Sequence, residues 1–108
     1  MIDETLSKIE ERIRGAGSIS DQRKTELLEL FGQLRHEVGQ LSRTHDQAAR
    51  TIAGHSERSA AEATSADRTQ LQESLDHLSQ SVSEFEESHP RLVALVNRIC
   101  VTLSGLGI

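Results

Sequence analysis

Two runs of apolar residues repeat every three and four positions, and they constrain this chain more than any other feature. Leu27, Phe31, Leu34, Val38, Leu41, His45, Ala48 and Ile52 form the first ladder. Leu71, Leu75, Leu78, Val82, Phe85, His89, Leu92, Val96, Ile99, Leu103 and Leu106 form the second. Each has one polar member, a histidine. A repeat averaging 3.5 residues belongs to helices that pack side by side along a seam. Strands, which alternate every second residue, cannot use it.

The remaining segments fit an all-α chain. Ile2, Leu6, Ile9 and Ile13 predict a short amphipathic helix, ended by Gly15-Ala16-Gly17-Ser18. Ser20 followed by Asp21 reads as an N-cap with an acid in the first turn. The first ladder alone would run about 39 Å as one straight helix at 1.5 Å per residue. Residues 54–66 hold Ser, Thr and Ala without a large apolar side chain, and read either as a hairpin connection or as an Ala-rich helical extension. Pro90 interrupts the second ladder without shifting its phase. Ser88 can cap a new helix opening at His89-Pro90, nearly collinear with the one before and joined by a kink or a one-turn break.

The expected architecture is therefore a single all-α domain over residues 1–108, with helices at about 3–14, 20–53, 67–88 and 90–104 and a connection at about 54–66. It is an elongated, coiled-coil-like antiparallel hairpin. A turn near residue 60 places Ile52 near Leu71, Leu41 near Leu78 and Leu34 near Phe85. The N-terminal helix lies beside the start of the second helix and beside the last one, making one end three helices thick. The opposite end, around Val38 and Leu78, has only two helices, and pairing of two copies into a bundle is the natural cover. Homodimerisation follows as the expected quaternary state. Candidate interaction residues are Gly32, Val38, Gly39, Leu41, His45, Leu75, Leu78 and Val82. Gly32 and Gly39 are included because a mid-helix glycine costs about 1 kcal/mol against alanine and leaves room for a neighbouring helix.

Charge narrows the function classes. The net charge is −5, and residues 55–108 carry four Lys/Arg against eight Asp/Glu. Nucleic-acid binding draws on clustered Lys and Arg, so no nucleic-acid partner is expected. A single cysteine, Cys100, excludes an intrachain disulfide and suits a reducing cytoplasm. Met1 leads directly into polar helix, without a signal-peptide pattern, and Leu92–Ile108 is interrupted by Asn97 and Arg98. A cytoplasmic bacterial-type protein is the expectation.

Chemistry is sparse. None of the five histidines stands three or four residues from another, the spacing at which a helix presents two metal ligands. His45 and His89 read as polar seam residues that fix register. Cys100 has no adjacent histidine and sits beside an apolar ladder, as a packed thiol does. No catalytic residue, cofactor or metal ligand is expected. The function that remains is protein–protein interaction or scaffolding through the heptad seams. The alternatives are membrane-surface association through the apolar C-terminal helix with Arg91 and Arg98, and a small metal- or ligand-binding bundle using the histidines.

Phe85-Glu86-Glu87-Ser88-His89-Pro90-Arg91-Leu92 and the ending Leu103-Ser104-Gly105-Leu106-Gly107-Ile108 resemble a family of small bacterial helical proteins, domain of unknown function 4404. The resemblance is most specific over residues 85–108. It implies a single helical domain and assigns no functional residues.

Overall fold

Both ladders fold as helices, and both break where their histidine stands. The computed structural model describes residues 2–65 and 67–106. Ala66 in the expected connection, and Gly107 and Ile108 in the expected Leu-Gly-Ile ending, lie outside the described residues, as does Met1. The elements are α1 (Ile2–Gly15), α2 (Asp21–Leu41), α3 (Asp46–Ala63), α4 (Leu71–Val82), a 3-10 turn (Ser83–Phe85) and α5 (Pro90–Ser104). The all-α class and helical packing are as expected, and no strand occurs among the described residues.

The expected helix over 20–53 is two helices. At residues 42–45 the last turn of the helix tightens to three-residue bonds. The Ser42 hydroxyl donates to the Gly39 carbonyl (2.7 Å) that Arg43 would use in a continuing helix, and the Arg43 and Thr44 backbone N–H groups turn back only three residues, to the Gln40 and Leu41 carbonyls (3.2 and 3.1 Å). Asp46 then opens α3 with an acid in its first turn, paired with Arg50 at 3.0 Å. The helix expected over 67–88 likewise stops at Val82, and Pro90 starts α5 at a position where its missing N–H is harmless. The collinear joint expected at Pro90 is a reversal: α4 and α5 lie side by side, with the Cys100 Sγ 3.8 Å from the Leu75 carbonyl. Heptad phase could not distinguish these cases. A helix that continues and a helix that folds back both turn their apolar stripe toward the same core.

The connection expected at 54–66 is helical as far as Ala63. Its small side chains have a packing reason. α3 is held between α1 and α4, and Ala49, Ala53, Ser56, Ser59, Ala60 and Ala63 are all buried there. Larger residues would hold these neighbours apart. Ser56 satisfies its hydroxyl on the Ile52 carbonyl (2.8 Å), and Ser74 of α4 donates to the Glu62 carboxylate of α3.

α1 packs on α2 and α3, and not on α5 as expected. Leu6, Ile9 and Ile13 are fully buried beneath it. Polar ties fix its outer side: Arg35 of α2 reaches Glu10 (2.8 Å) and Ser7 (3.2 Å), and Lys24 donates to the Arg14 carbonyl at the end of α1 (3.1 Å). Ser20 caps α2 as the sequence predicts, accepting from the Arg23 N–H at 3.2 Å.

Around the bundle, neighbours follow the order α1, α3, α4, α5, α2 and back to α1. α2 and α4 do not pack on one another, so the expected pairs Leu41–Leu78 and Leu34–Phe85 are replaced by packing of α2 on α5 and of α3 on α4. Extents of 37 × 23 × 21 Å and a radius of gyration of 12.8 Å are those of a globule of this length, for which about 13 Å is typical. The hairpin is therefore short and thick, and the chain supplies its own bundle.

Candidate functional site

The structure sorts the eight expected interaction residues into two groups. Val38, Leu41, Leu75, Leu78 and Val82 are buried in the core of the single chain, so the seam is not an open surface. The two-helix end that was to need a partner is covered by α1, α3 and α5. Gly32, Gly39 and His45 are exposed.

His45 belongs to a repeat. The two ladders are offset by 44 residues throughout: Leu27 matches Leu71, Leu34 matches Leu78, Val38 matches Val82 and His45 matches His89. The structure repeats with the sequence. His45 and His89 are the N-cap residues of α3 and α5, with φ/ψ of −136°/66° and −137°/64°. Thr44 Oγ1 lies 2.8 Å from His45 Nδ1, and Ser88 Oγ lies 3.0 Å from His89 Nδ1. Each histidine N–H returns to the residue four before it, Leu41 and Phe85, at 2.8 Å. The packing obeys the same exchange, α2 on α5 and α4 on α3. Two equivalent helical hairpins, α2–α3 and α4–α5, are thus related by an approximate twofold. The matched histidines meet across it with ring centroids 6.4 Å apart, and Phe85 stands edge-on to both at 5.2 and 5.6 Å. The common spacing of the two ladders was the signal for this duplication. Ser88, expected to cap α5, orients the imidazole instead.

The other close histidine pair is His55 on α3 and His77 on α4, with ring centroids 5.8 Å apart. Burial, with help from His77 and Arg58, holds the His55 pKa below the usual histidine value. Among the described residues, no three His, Cys, Asp or Glu side chains gather as a metal would require. Cys100 is half-buried, and burial together with nearby Asp76 pushes its thiol up to about 11. A thiol so shifted is a poor nucleophile at neutral pH.

The apolar side of α5 is spent inside the bundle, where Leu92, Leu95, Val96, Ile99 and Leu103 are buried. Val101, 72% exposed, is the large apolar side chain left outside among the described residues. No helix among these residues is long and apolar enough to cross a membrane.

A surface feature with defined chemistry lies between α2 and α5. An open groove of about 660 Å³ is walled by Glu29, His36 and Glu37 on α2 and by Arg91 and Arg98 on α5, with Gly32, Ala94 and Leu95 between. Arg98 also lines the adjoining depression with Gln22, Glu26 and Glu29, so it sits at the Glu29 end. Arg91 sits at the Glu37 end, since the helices run in opposite directions. Neither arginine forms an ion pair with Glu29 or Glu37, although other pairs in the molecule close to 2.8–3.1 Å. A side chain added at Gly32 would meet nothing within 4 Å, so the fold itself has no steric need for glycine there. Gly39 has the same freedom but borders a different depression, beside Ile2 and Asp46.

A family model described as domain of unknown function DUF4404 matches residues 27–108. The chain belongs to this family. The matched region opens at Leu27, the first rung of the repeat, and takes in both hairpins, while α1 precedes it. No curated protein and no solved structure matches the chain.

Proposed function

We propose that this DUF4404 protein is a non-catalytic interaction module of a reducing, cytoplasmic compartment, and that it docks helical protein surfaces on the α2–α5 face. The observation that carries this reading is the groove itself. Glutamates stand on its α2 wall and arginines on its α5 wall, with Gly32, Ala94 and Leu95 between, and neither arginine pairs with Glu29 or Glu37. Helices lie in such grooves with apolar or small contacts at the centre and charges at the rim. The raised Cys100 pKa, which makes its thiol a poor nucleophile, favours binding over catalysis.

Site-specific photocrosslinking tests the reading. A photoreactive residue at position 32 or 94 should give discrete protein adducts in cells, and the same residue at Ser79, exposed on α4, should not. Equal adducts at all three positions, or none, would remove the groove as the docking face.

A further inference from the structure

We infer that the occupant of the α2–α5 groove is a second copy of this chain, related by a twofold axis running along the groove. The inference rests on the docking reading above and names its partner. The argument is one of charge geometry. The acidic row, Glu29 and Glu37, lies wholly on α2, and the basic row, Arg91 and Arg98, lies wholly on α5. Such a face is complementary to itself in one orientation. Rotation by 180° about an axis along the groove lays α2 over the partner's α5 and α5 over the partner's α2, keeping height along the groove unchanged. Glu29 then meets the partner's Arg98, and Glu37 meets the partner's Arg91. Symmetry makes four opposite-charge meetings. An axis across the groove would stack α2 on α2 and bring acid against acid, so the charges choose between the two arrangements.

The middle of the face agrees. Gly32 and Ala94 are both exposed and lie at the centre of the groove, where the two copies would approach most closely. Glycine at 32 lowers helix propensity and serves no contact within the chain, and the dimer gives it a use. Val101 continues the α5 stripe of Arg91, Ala94 and Arg98 by the same three- and four-residue steps, placing the exposed valine at the rim of the same face. Arginine and glutamate at a rim set register and partner choice more than affinity, so association should weaken as salt rises.

Sedimentation equilibrium at micromolar concentration tests the inference. The wild-type chain should show twice its mass of 11.9 kDa. The double variant Arg91→Glu/Arg98→Glu and the double variant Glu29→Arg/Glu37→Arg should each fall to the single mass, with far-UV circular dichroism unchanged. An equimolar mixture of the two should recover the doubled mass, because each then supplies what the other lacks. Arg91→Lys/Arg98→Lys should remain dimeric. A wild-type chain at the single mass would overturn the inference. So would a dimer indifferent to both charge reversals, which must use another face. If the wild type is monomeric while position 32 still crosslinks a different protein, the docking reading survives and the second copy is excluded.

Discussion

The two hairpins share a ladder, a turn and a capping histidine, yet only the first carries a fifth helix. In α2–α3 the outward side of the ladder is Ala49, Ala53, Ser56 and Ala60, and α1 covers it. The matched positions on α5 are Val93, Asn97, Cys100 and Ser104; α1 does not reach them, Asn97 and Ser104 are exposed, and Val93 and Cys100 are only partly buried. α4 and α5 pack closely on one another, while α2 and α3 touch less extensively and both carry α1. A repeated heptad therefore fixes the inner face of each hairpin and leaves the outer face free to diverge. One outer face became a seat for α1.

The comparison predicts equal sensitivity inside and unequal sensitivity outside. The largest effects belong to the shared core. Leu34 and Leu78 occupy matched positions and are both fully buried, so Leu34→Ala and Leu78→Ala should each cost about 2–5 kcal/mol in urea unfolding. A near-silent Leu78→Ala would return that residue to the surface, as the open-seam expectation had it. Next come the outer faces. Ala60→Leu forces a large side chain into the packing around α3 and should cost about 1–3 kcal/mol, while its match Ser104→Leu, on an exposed site, should stay within about 0.5 kcal/mol. Equal costs would mean that α1 does not seat against α3.

The smallest effect is a pH dependence centred on His55 of the first hairpin. His55 has a folded pKa below its unfolded value, from burial first and then from His77 and Arg58. As pH falls, the unfolded chain takes up this proton before the folded one. Stability is therefore full above the unfolded value of about 6.5 and is lost as pH falls from there through the folded value. The matched residue of the second hairpin is Ile99, which cannot titrate. His55→Gln should flatten the stability difference between pH 7 and pH 5.5, and His77→Gln should reduce it in part. An unchanged acid slope in both variants would show that the pair does not oppose protonation.

Helix content, the amphipathic first helix, the Ser20 cap and the packed Cys100 were legible because each depends on local spacing or on a single side chain. The reversals were not. Leu41, His45 and Ala48 keep the heptad step across the turn, and nothing in that step records that Arg43 and Thr44 turn back three residues instead of four, or that the Ser42 hydroxyl takes the Gly39 carbonyl. The recurring Thr-His and Ser-His pairs, 44 residues apart, carried that information, and they become readable once the ladders are aligned on each other. The Ala- and Ser-rich segment misled for a related reason. Small residues signal a weak helix in isolation and a tight contact when two helices press on one face. The candidate groove was only half legible, through Gly32, because the relation of α2 to α5 depends on the reversals.

Spin labels at Gln22 and Arg58 in a Cys100→Ser background measure the first reversal directly. One unbroken helix would separate these positions by about 54 Å at 1.5 Å per residue. The two-hairpin bundle places both toward the same end of a molecule whose longest extent is 37 Å. A double electron–electron resonance distance distribution lying below that extent is the predicted result. A distribution centred near 54 Å would contradict the fold and, with it, the α2–α5 face.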